Sequence, residues 1–455
     1  MSLEILADVL KCPRKGSDAV FTGVSHDTRT LQAGDLYVAI KGDRFDGHNF
    51  LAEAISAGAV GALLGRDMQT PLPYVHVPNT RLAYGNLGAF WRNQFQVPVV
   101  AITGSNGKTT VKEMIGTILG EIGTGCVTRG NFNNDIGVPL TLVRMRSSDR
   151  FAVIEMGMNH FGEIEYLSRM TRPTVALITN AGEAHLAGVG TVEGVARAKG
   201  EIFTGLRTAG TAVLNADDEF FPLWRTLVAG RKCLTFGLDH KADVSADYRL
   251  TDNGSLIHLK TTTHGDIDMS VPLLGRHNVM NTLAGAGAAI AAGASLEQVK
   301  NGLEKLQTVS GRLEVKRGVS GARIIDDTYN ANPTSVAAGL QVLKEFSGER
   351  VMVLGDMGEL GSSAADIHFR VGELAGRLGI QRLFAIGEFS RIAVGAFGKG
   401  ARHFESHEAL IEALQDCLHA DMTVLVKGSR MMHMEQIVAG ITKKSPAAGE
   451  NGRKR

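Results

Sequence analysis

A glycine-rich turn between a strand-like segment and a helix-like segment constrains this chain more than any other feature. Apolar residues 99–103 lead into the turn, and residues 111–119 continue it with a helix-compatible pattern. This layout places backbone N–H groups at a helix N-terminus, where they bind phosphate. The turn and the first helical residues are, in order, Gly104, Ser105, Asn106, Gly107, Lys108, Thr109 and Thr110.

Each residue type in this turn has a chemical reason to be there. Glycines let the backbone approach an anion, the Lys108 ammonium can reach terminal phosphates, and the Thr109 hydroxyl can ligate magnesium. The spacing is compressed, because Ile102 stands where the common pattern has its first glycine. A chance turn of similar composition is the alternative. A strand, a loop, a Lys-Thr pair and a helix in series favour nucleotide binding instead.

The bulk composition limits the class of protein. A length of 455 residues exceeds what one hydrophobic core supports and predicts about three domains. Apolar residues make up 44% and charged residues 21% of the chain, as in ordinary globular proteins. The formal net charge of +1 gives no overall field that attracts polyanions. We therefore expect neither a nucleic-acid partner nor membrane insertion.

The cysteines and the N-terminus favour a cytoplasmic location. Cys12, Cys126, Cys233 and Cys417 lie far apart, so neither a zinc site nor a disulfide framework is expected. The N-terminus lacks the basic and apolar segments of a secretory signal. The most apolar long stretch, residues 283–294, is too short for a bilayer core of ~30 Å and predicts a buried helix. We expect a reduced cytoplasmic protein that acts as a monomer.

Periodicity divides the chain into three α/β domains and a tail. Residues 1–80 alternate short apolar runs with one helical segment, which predicts a small α/β domain. A boundary follows at Pro78, with Thr80 predicted to cap the next helix. Residues 81–309 alternate strands and helices, which predicts a P-loop-type, mostly parallel sheet with ligands at the carboxyl ends of its strands.

The second half of the chain contains three further patterns. Residues 241–273 alternate polar and apolar side chains and predict an antiparallel addition to the central domain. Residues 310–442 resume the strand–helix alternation and predict a Rossmann-like, doubly wound α/β domain. Residues 443–455 contain no apolar residue other than alanine and proline, and we expect a disordered tail.

Polar residues at the ends of predicted strands are the candidate site residues of the central domain. They are Glu155, His185 and the pair Asp217-Asp218, and such groups beside a phosphate loop can position Mg²⁺ against ATP. Each alone could be an ordinary loop residue, but their common position favours a site. Lys199, on spacing alone, is a cation on an amphipathic helix and is expected in solvent.

Two N-terminal loops are also rich in polar side chains. Residues 25–29 and 41–48 combine turn residues with donors suited to phosphate and ribose. Solvated turn chemistry explains this composition equally well. The residues alone therefore leave the role of both loops open.

Motifs spread over residues 24–440 resemble those of the Mur ligase family of bacterial cell-wall synthesis. The phosphate-loop wording Gly-Ser-Asn-Gly-Lys-Thr-Thr is similar across the whole family. Other motifs are more discriminating and resemble the members that add D-alanyl-D-alanine. They occupy residues 130–134, 155–158, 326–333, 355–361 and 427–430.

The resemblance implies that the N-terminal domain binds the uridine diphosphate end of a UDP-N-acetylmuramoyl-tripeptide. Family members usually have serine where this chain has Thr28, a change that keeps the hydroxyl. The residues implied for this role are Ser25, Asp27, Thr28, Arg29, Asp46, Gly47 and His48. Asn133 and Asn134 are implied to line the central substrate channel.

The resemblance also implies an ATP site shared by two domains. Asn278 and Asn281 would contact adenine, and Asp327 would contact the ribose. Arg312 would move in with the third domain to contact the terminal phosphate. The remaining ATP contacts would come from the turn at residues 104–110.

Two magnesium ions are implied beside that ATP. Thr109 and Glu155 would serve the first ion, and His185 and Lys199 would serve the second. Lys199 matches a lysine that carbon dioxide carbamylates in this family. A carbamate converts a cation that Mg²⁺ repels into an oxygen ligand. This implication replaces the solvated interpretation of Lys199.

The implied activity is ATP-dependent amide ligation through an acyl phosphate, which gives UDP-N-acetylmuramoyl-pentapeptide for peptidoglycan synthesis. The implied catalytic residues are Lys108, Glu155, His185, Lys199 and Arg312. One alternative is another ligase of the family, either diamino-acid-adding or folyl-polyglutamate. A second alternative is a P-loop ATPase that drives partner binding, which leaves the loop at residues 27–29 unexplained.

Overall fold

The computed structural model describes residues 1–42, 44–184 and 186–442. Within these residues, three separate β-sheets are flanked by helices. The predicted α/β class, with three sheets in sequence order, is confirmed. The tail predicted at residues 443–455 lies outside the described residues.

The first sheet has five strands in the order β1-β5-β4-β3-β2, parallel except for β1. Its core is apolar, with Leu3 and Leu6 of the first helix fully buried against Val38 and Val75. The sequence did not indicate that helix. The strands are β1 (Arg14–Lys15), β2 (Gly23–Ser25), β3 (Asp35–Val38), β4 (Gly61–Leu64) and β5 (Tyr74–His76), and the helices are α1 (Leu3–Leu10) and α2 (Leu51–Ser56).

Helix α3 (Thr80–Arg92) connects the first sheet to the rest of the chain. The prediction that Thr80 caps it is wrong by one residue. The side chain of Asn79 is the cap and accepts hydrogen bonds from the N–H groups of Arg81 and Leu82. Asn79 fits this place because its amide oxygen replaces a missing backbone acceptor. Tyr84 of α3 packs in the core of the first sheet. Helix α3 also contacts helices α5 (Gly137–Leu142) and α6 (Glu163–Thr171), which flank the central sheet.

The central sheet has nine strands in the order β14-β13-β12-β11-β10-β9-β6-β8-β7. Alternate residues of one strand enter different cores, since Val100 and Ile102 pack on one face while Val99 and Ala101 pack on the other. Helices therefore cover both faces, as a parallel sheet requires. The strands up to β11 are β6 (Val99–Thr103), β7 (Gly125–Val127), β8 (Phe151–Glu155), β9 (Val175–Ile178), β10 (Thr211–Asn215) and β11 (Lys232–Phe236).

Three longer strands extend this sheet where the sequence predicts antiparallel structure. They pair β12 with β13 and β13 with β14 in antiparallel register, which confirms that prediction. They are β12 (Val244–Thr251), β13 (Gly254–Thr261) and β14 (Gly265–Val271). The central helices are α4 (Lys108–Gly120), α5 (Gly137–Leu142), α6 (Glu163–Thr171), α7 (Leu186–Val189), α8 (Val192–Gly200), α9 (Phe221–Leu227), α10 (Arg276–Ala291) and α11 (Leu296–Glu304).

The third sheet has six strands in the order β15-β16-β20-β17-β18-β19, parallel except for β15. Buried side chains cover it on both faces, as the doubly wound prediction requires. The strands are β15 (Glu314–Arg317), β16 (Arg323–Asp326), β17 (Glu349–Gly355), β18 (Arg382–Ile386), β19 (Ala401–Phe404) and β20 (Met422–Lys427). The helices are α12 (Pro333–Lys344), α13 (Ala364–Arg377), α14 (Ser390–Phe397), α15 (His407–Gln415) and α16 (Glu435–Ile441).

The structure also tests the predictions of unpaired cysteines and of a buried helix at residues 283–294. All four cysteines are free thiols. Among the described residues, no helix combines the length and the apolar character needed to cross a membrane. The predicted buried helix at residues 283–294 is largely α10, where Leu283 and Ala286 are fully buried.

Candidate active site

A cavity of about 1100 Å³ lies between the central sheet and the third sheet. Its walls contain the turn before α4, the start of α10 and the loops that follow β16 and β17. Such loops follow the carboxyl ends of parallel strands, where open α/β sheets bind ligands. The predicted site residues that line it are Ser105, Asn106, Gly107, Lys108, Thr109, Thr110, Asn133, Asn134, Glu155, Asn278, Asn281, Arg312 and Asp327.

The turn before α4 adopts the backbone conformation that its glycines permit. Gly107 has φ 81° and is the N-cap of α4. A Cβ atom at Gly107 would lie 2.4 Å from the Asn281 amide oxygen, so this position has no room for a side chain. Residues 107–110 line the cavity, so the N-terminus of α4 borders it, and a helix N-terminus is suited to bind phosphate.

Asparagine side chains hold this turn in place. The N–H of Asn106 donates to the Asn180 amide oxygen at 2.9 Å, and the Asn180 amide donates back to the Asn106 carbonyl at 3.1 Å. From the third sheet's side, the Asn332 amide donates to the Asn106 side-chain oxygen at 2.8 Å. The phosphate loop is thus preorganised from both sides of the cavity.

The Lys108 ammonium folds back over its own turn and donates to the Gly104 carbonyl at 2.6 Å. Burial lowers the pKa of Lys108 below its usual range, and the carboxylates of Glu155 and Glu359 oppose that shift. The Arg312 guanidinium lowers it further. Lys108 and Arg312 therefore bring two basic side chains to the same cavity as the Glu155 carboxylate.

A chain of hydrogen bonds connects the central sheet to the third sheet through Thr109. The Thr109 hydroxyl donates to Glu155 Oε2 at 3.0 Å, and the Asn133 amide donates to Glu155 Oε1 at 2.8 Å. Arg312 Nη2 donates to the Thr109 oxygen at 3.0 Å. Glu155 is only 1% exposed, so its two oxygens point at these partners and the cavity.

Arg312 has spare capacity for an anion. Its guanidinium stacks over the Tyr329 ring, 4.3 Å from the ring centroid. Among the described residues, its buried Nε has no hydrogen-bond partner. A planar guanidinium binds phosphate oxygens well, and an unpaired buried donor is costly. The arginine therefore fits a phosphate-bearing ligand in this cavity.

The donors at Thr109 and Glu155 also fit a magnesium ion. A hydroxyl and a carboxylate oxygen 3.0 Å apart are the hard donors that Mg²⁺ takes. Within the described part of the chain, no group of three or more His, Cys, Asp or Glu side chains could hold a metal by itself. Magnesium usually binds through one or two carboxylates together with substrate phosphates and water, so the small donor set agrees with a nucleotide-bound ion.

Lys199 is 1% exposed, so its interpretation as a solvated helix residue is wrong. Helix α8 is covered on most sides, and the indole N–H of Trp224 in α9 donates to the Ala196 carbonyl at 3.0 Å. Burial, with the nearby charge of Lys108, brings the pKa of Lys199 well below its usual value. A neutral amine is the form that carbon dioxide carbamylates. His185, the predicted partner, lies outside the described residues.

The cavity also holds the residues expected to contact adenine and ribose. The Asn278 amide donates to the Leu274 carbonyl at 2.9 Å, and the Asn281 amide donates to the Asn278 side-chain oxygen at 3.0 Å. Asp327 forms a 2.6 Å ion pair with Lys427. Burial raises the pKa of Asp327, and the Lys427 charge opposes the rise. These contacts fix the side chains before any ligand binds.

The polar residues of the N-terminal loops do not line this cavity. Arg29 pairs with Asp27 at 2.6 Å, and His48 pairs with Asp46 at 2.6 Å. The hydroxyl of Tyr37 donates to the Gly47 carbonyl. Burial, and then the charges of Glu53, Asp27 and Asp46, raise the pKa of Tyr37 to about 12. The two loops therefore lie together at the carboxyl end of the first sheet.

The other residues predicted to bind the uridine diphosphate end of the substrate lie in the same two loops. Ser25 is buried at the end of β2, and its hydroxyl donates to the Asp27 carbonyl at 2.9 Å. Thr28 lies between the paired residues of its loop and does not line the cavity. Asp217 and Asp218 follow β10 but accept backbone hydrogen bonds, which makes them loop anchors rather than cavity residues.

Sequence reasoning assigned no role to several residues that shape the cavity. Asn180 and Asn332 form hydrogen bonds that hold the phosphate loop. Lys427 forms an ion pair with Asp327, and the ring of Tyr329 stacks against the guanidinium of Arg312. For two of them, Asn180 and Lys427, the sequence does contain a signal. Asn180 closely follows β9 and Lys427 ends β20, so both stand at carboxyl ends of parallel strands.

Three family descriptions match consecutive parts of the chain. Residues 20–86 match the Mur ligase family catalytic domain, residues 102–289 match the Mur ligase middle domain, and residues 311–430 match the Mur ligase glutamate ligase domain. Together they span all three sheets.

Named relatives are similar over nearly the full length. The UDP-N-acetylmuramoyl-tripeptide--D-alanyl-D-alanine ligase of Escherichia coli is 43% identical over 445 residues, covering 97% of this chain and 98% of that protein. The crystal structure of MurF from Acinetobacter baumannii is 37% identical with a TM-score of 0.90, covering 96% of this chain and 97% of the other. The MurF ligase of Thermotoga maritima in complex with ADP is 26% identical with a TM-score of 0.83, covering 92% and 97%. With this identity and coverage, the chain belongs to the Mur ligase family.

Proposed function

We propose that this protein is an ATP-dependent amide ligase that joins D-alanyl-D-alanine to UDP-N-acetylmuramoyl-tripeptide. The observation that carries the proposal is the meeting of a phosphate loop, a buried carboxylate and an arginine from the third sheet in one cavity, through Thr109, Glu155 and Arg312. The relatives named for this activity match the chain over nearly its whole length.

The first step activates the tripeptide. A free carboxylate is a poor acyl donor, so its oxygen attacks the γ-phosphorus of ATP, and ADP leaves as an acyl phosphate forms. Lys108 and Arg312 stabilise the negative charge of the transferring phosphoryl group. The amine of D-alanyl-D-alanine then attacks the acyl carbon, and the C–O bond to phosphate breaks. The leaving phosphate takes a proton, and an amide remains.

Magnesium belongs to this proposal as a bound ion. Thr109 and Glu155 would hold one ion beside the phosphates, and His185 with a carbamylated Lys199 would hold a second. When bound, magnesium neutralises phosphate charge and favours phosphoryl transfer. The burial of Lys199 and its lowered pKa support the carbamate, because both favour the neutral amine that must react.

The N-terminal loops receive the uridine diphosphate end of the substrate in this proposal. The side chain of Arg29 is exposed and can serve as a donor to a pyrophosphate or a ribose. His48 is buried, with its ring nitrogens engaged by Asp46 and by the Gly65 N–H, and would order the loop beside that ligand. Asn133 and Asn134 would line the path from there to the phosphate loop, since both border the cavity. We assign residues 1–80, 81–309 and 310–442 to UDP-substrate binding, ATP binding and ligation, respectively, in a cytoplasmic enzyme.

Closure of the third domain protects the intermediate. An acyl phosphate in water would hydrolyse, and a closed cavity excludes that water. The contacts of Arg312 with Thr109 and of Asn332 with Asn106 support a closed arrangement, since each joins the third domain to the phosphate loop.

Phosphate release from ATP tests the proposal. We expect release that requires both UDP-N-acetylmuramoyl-tripeptide and D-alanyl-D-alanine, with a pentapeptide product visible by mass spectrometry. Diaminopimelate with a dipeptide precursor, and glutamate with a folate, serve as competing substrate pairs for the other family activities. Turnover with one of those pairs alone, or ATP hydrolysis that ignores every amine, would contradict the assignment.

A further inference from the structure

Glu163 is the first residue of helix α6, on the central-domain side of the cavity. It is half-buried and lines the cavity together with Gly157, Met158 and Asn159, which belong to the loop between β8 and α6. This loop starts at the carboxyl end of β8, next to Glu155. The roles proposed for the other cavity residues leave Glu163 without a function.

Hydrogen bonds connect Glu163 to the reacting end of the cavity. The N–H of Asn159 donates to Glu163 Oε2 at 2.7 Å. Further along the same loop, the N–H of Gly157 donates to the Asn133 carbonyl at 2.8 Å, and the Asn133 amide donates to Glu155 at 2.8 Å. Four residues of extended chain span at most ~14 Å, so the Asn159 N–H lies within about that distance of the Glu155 backbone. The Glu163 carboxylate is therefore held near the site of phosphoryl transfer.

One carboxylate oxygen of Glu163 is available to a ligand. Oε2 accepts from Asn159, whereas no described residue donates a hydrogen bond to Oε1 or forms an ion pair with this side chain. Among the described residues of the central domain, three other carboxylates line the cavity, and each contacts a donor or a cation. They are Glu113 with Lys112, Glu155 with Thr109 and Asp239 with Arg276. Glu163 is thus the carboxylate of this wall that can accept a cation from a ligand.

The fold of α6 does not require the Glu163 side chain. The carboxylate of Glu201 caps this helix, because it accepts hydrogen bonds from the N–H of Gly162 at 2.9 Å and from the N–H of Glu165 at 3.2 Å. Negative charge in the first turn favours the helix dipole, but Glu165 supplies such a charge as well. A ligand in the cavity accounts for the half-buried carboxylate of Glu163 better than the helix does.

The tripeptide substrate carries a cation that fits this position. Other ligases of the family add a diamino acid to a dipeptide precursor, so the tripeptide ends in a diamino acid whose second amine is free. An alkyl amine of this kind is protonated at neutral pH. It belongs to the same residue as the carboxylate that attacks ATP, so it must lie near the reacting end of the cavity. A carboxylate there can bind it through a charge-assisted hydrogen bond.

Met158 offers a surface for the rest of that side chain. It is 4% exposed, lines the cavity and lies in the loop between Glu155 and Glu163. The methylene groups between the reacting carboxylate and the ammonium can pack on a thioether side chain, which adapts readily to irregular apolar shapes. The wall therefore combines an apolar contact for the methylene groups with a carboxylate for the charged end.

We infer that Glu163 binds the side-chain ammonium of the tripeptide's terminal diamino acid and so selects a substrate that carries this cation. The inference rests on the proposed function and adds to it the residue that recognises the reacting end of the first substrate. Loss of this contact should weaken the binding of the tripeptide and leave the KM values for ATP and D-alanyl-D-alanine unchanged.

Steady-state kinetics with two tripeptides tests this role. One tripeptide ends in diaminopimelate, and the other carries an acetyl group on the side-chain amine, which removes the cation. With the wild-type enzyme, acetylation should raise the KM for the tripeptide about tenfold or more, as expected for the loss of a hydrogen bond between charged groups. With Glu163→Gln the two tripeptides should have similar KM values, because the carboxylate that distinguishes them is gone.

Glu165→Gln is the matched control. Glu165 lies two residues further along α6, forms an ion pair with Arg169 at 2.7 Å and does not line the cavity. This variant should keep the wild-type preference for the charged tripeptide. Glu163→Asp retains a carboxylate and should keep part of that preference.

The ratio of the two KM values separates recognition from folding, since both are measured with the same variant. Glutamine can still accept from the Asn159 N–H, so Glu163→Gln should also melt near the wild-type temperature. An acetylation effect in Glu163→Gln as large as in wild type would overturn the inference, and so would a wild-type enzyme that uses both tripeptides equally well. If the wild-type enzyme forms no product from any tripeptide and D-alanyl-D-alanine, the proposed function itself fails, which is a different result from either.

Discussion

Arg312 Nη2 lies 3.0 Å from the Thr109 hydroxyl oxygen, although Thr109 is in α4 beside the central sheet and Arg312 is in the loop that leads into the third sheet. Thr109 in turn donates to Glu155, so a single chain of hydrogen bonds joins the third sheet to the phosphate loop. Arg312 is the predicted contact of the terminal phosphate. Because it lies beside Thr109 in this arrangement, a nucleotide bound here would be contacted from both the central and the third domain.

Arg312→Ala should lower kcat about a hundredfold, because ~2.7 kcal/mol of transition-state stabilisation is typical of such a contact. Arg317→Ala is the matched control, since Arg317 is an exposed arginine on β15 of the same sheet. Both variants should melt near the wild-type temperature. Steady-state kinetics with saturating substrates measures the effect, and a normal kcat for Arg312→Ala would remove this residue from the site.

Lys108→Ala should be at least as damaging. The ammonium lies over the phosphate loop, and its loss should lower activity by a hundredfold or more, about 2.7 kcal/mol of barrier. Lys232→Ala removes an exposed lysine at the start of β11 and should have no effect. Near-normal turnover of Lys108→Ala at saturating ATP would show that the phosphate site is elsewhere.

Much of the fold was accessible from local patterns. The segment from Val99 to Thr110 predicts β6, the turn and α4, because strand periodicity, glycines and helix propensity agree there. Strands β7 and β19 were missed, since each is short and contains only one β-branched or aromatic residue. Helix α1 was also missed, although Ser2 caps it with a side-chain hydrogen bond to the Ile5 N–H.

Site residues could be predicted from the sequence only where both the residue type and its position at a strand end indicated ligand binding. Glu155 ends β8 and was predicted, whereas Asn332 and Glu359 reach the cavity through packing between two sheets that no local pattern encodes. Lys199 shows the limit most clearly. Its helical spacing predicts solvent exposure, but the burial of α8 depends on a tryptophan in the next helix, Trp224.

Lys199→Ala should fold but be nearly inactive, because the role proposed for this side chain requires an oxygen ligand. Added formate or acetate should restore part of the turnover by replacing the missing carboxylate. Lys199→Arg should stay inactive and should not respond to formate, since its charge has the wrong sign for a magnesium ligand. Arg197→Ala is the control, because Arg197 is an exposed cation on the same helix.

Activity assays with and without added bicarbonate complete this test. The wild-type enzyme should gain activity with bicarbonate after thorough degassing, and the variants should not. An active Lys199→Arg enzyme would contradict the carbamate and leave the lysine a buried structural residue.

His277 should make folding stability depend on pH. Burial, with the charge of Lys427, lowers its pKa from 6.5 to about 4. Between these values the unfolded chain binds a proton that the folded chain does not, so stability falls as the pH is lowered through this window. His277→Gln removes the titrating group, and its melting temperature should fall less than that of wild type between neutral pH and about pH 5.

Thermal melts of the ligand-free protein at several pH values measure this difference. His264→Gln removes an exposed imidazole in the turn after β13 and should follow the wild-type curve. Parallel curves for wild type and His277→Gln would show that the pKa of His277 is not lowered by folding, and the proposed pH dependence would then be wrong.

The transfer of ¹⁸O from the tripeptide carboxylate to inorganic phosphate tests the central claim most directly. UDP-N-acetylmuramoyl-tripeptide labelled at its terminal carboxylate is incubated with ATP, magnesium and D-alanyl-D-alanine, and the released phosphate is analysed by mass spectrometry. Ligation through an acyl phosphate predicts that each phosphate carries one carboxylate oxygen and that the pentapeptide amide keeps the other. Unlabelled phosphate would contradict the account, since it would mean that water rather than the substrate carboxylate attacks ATP.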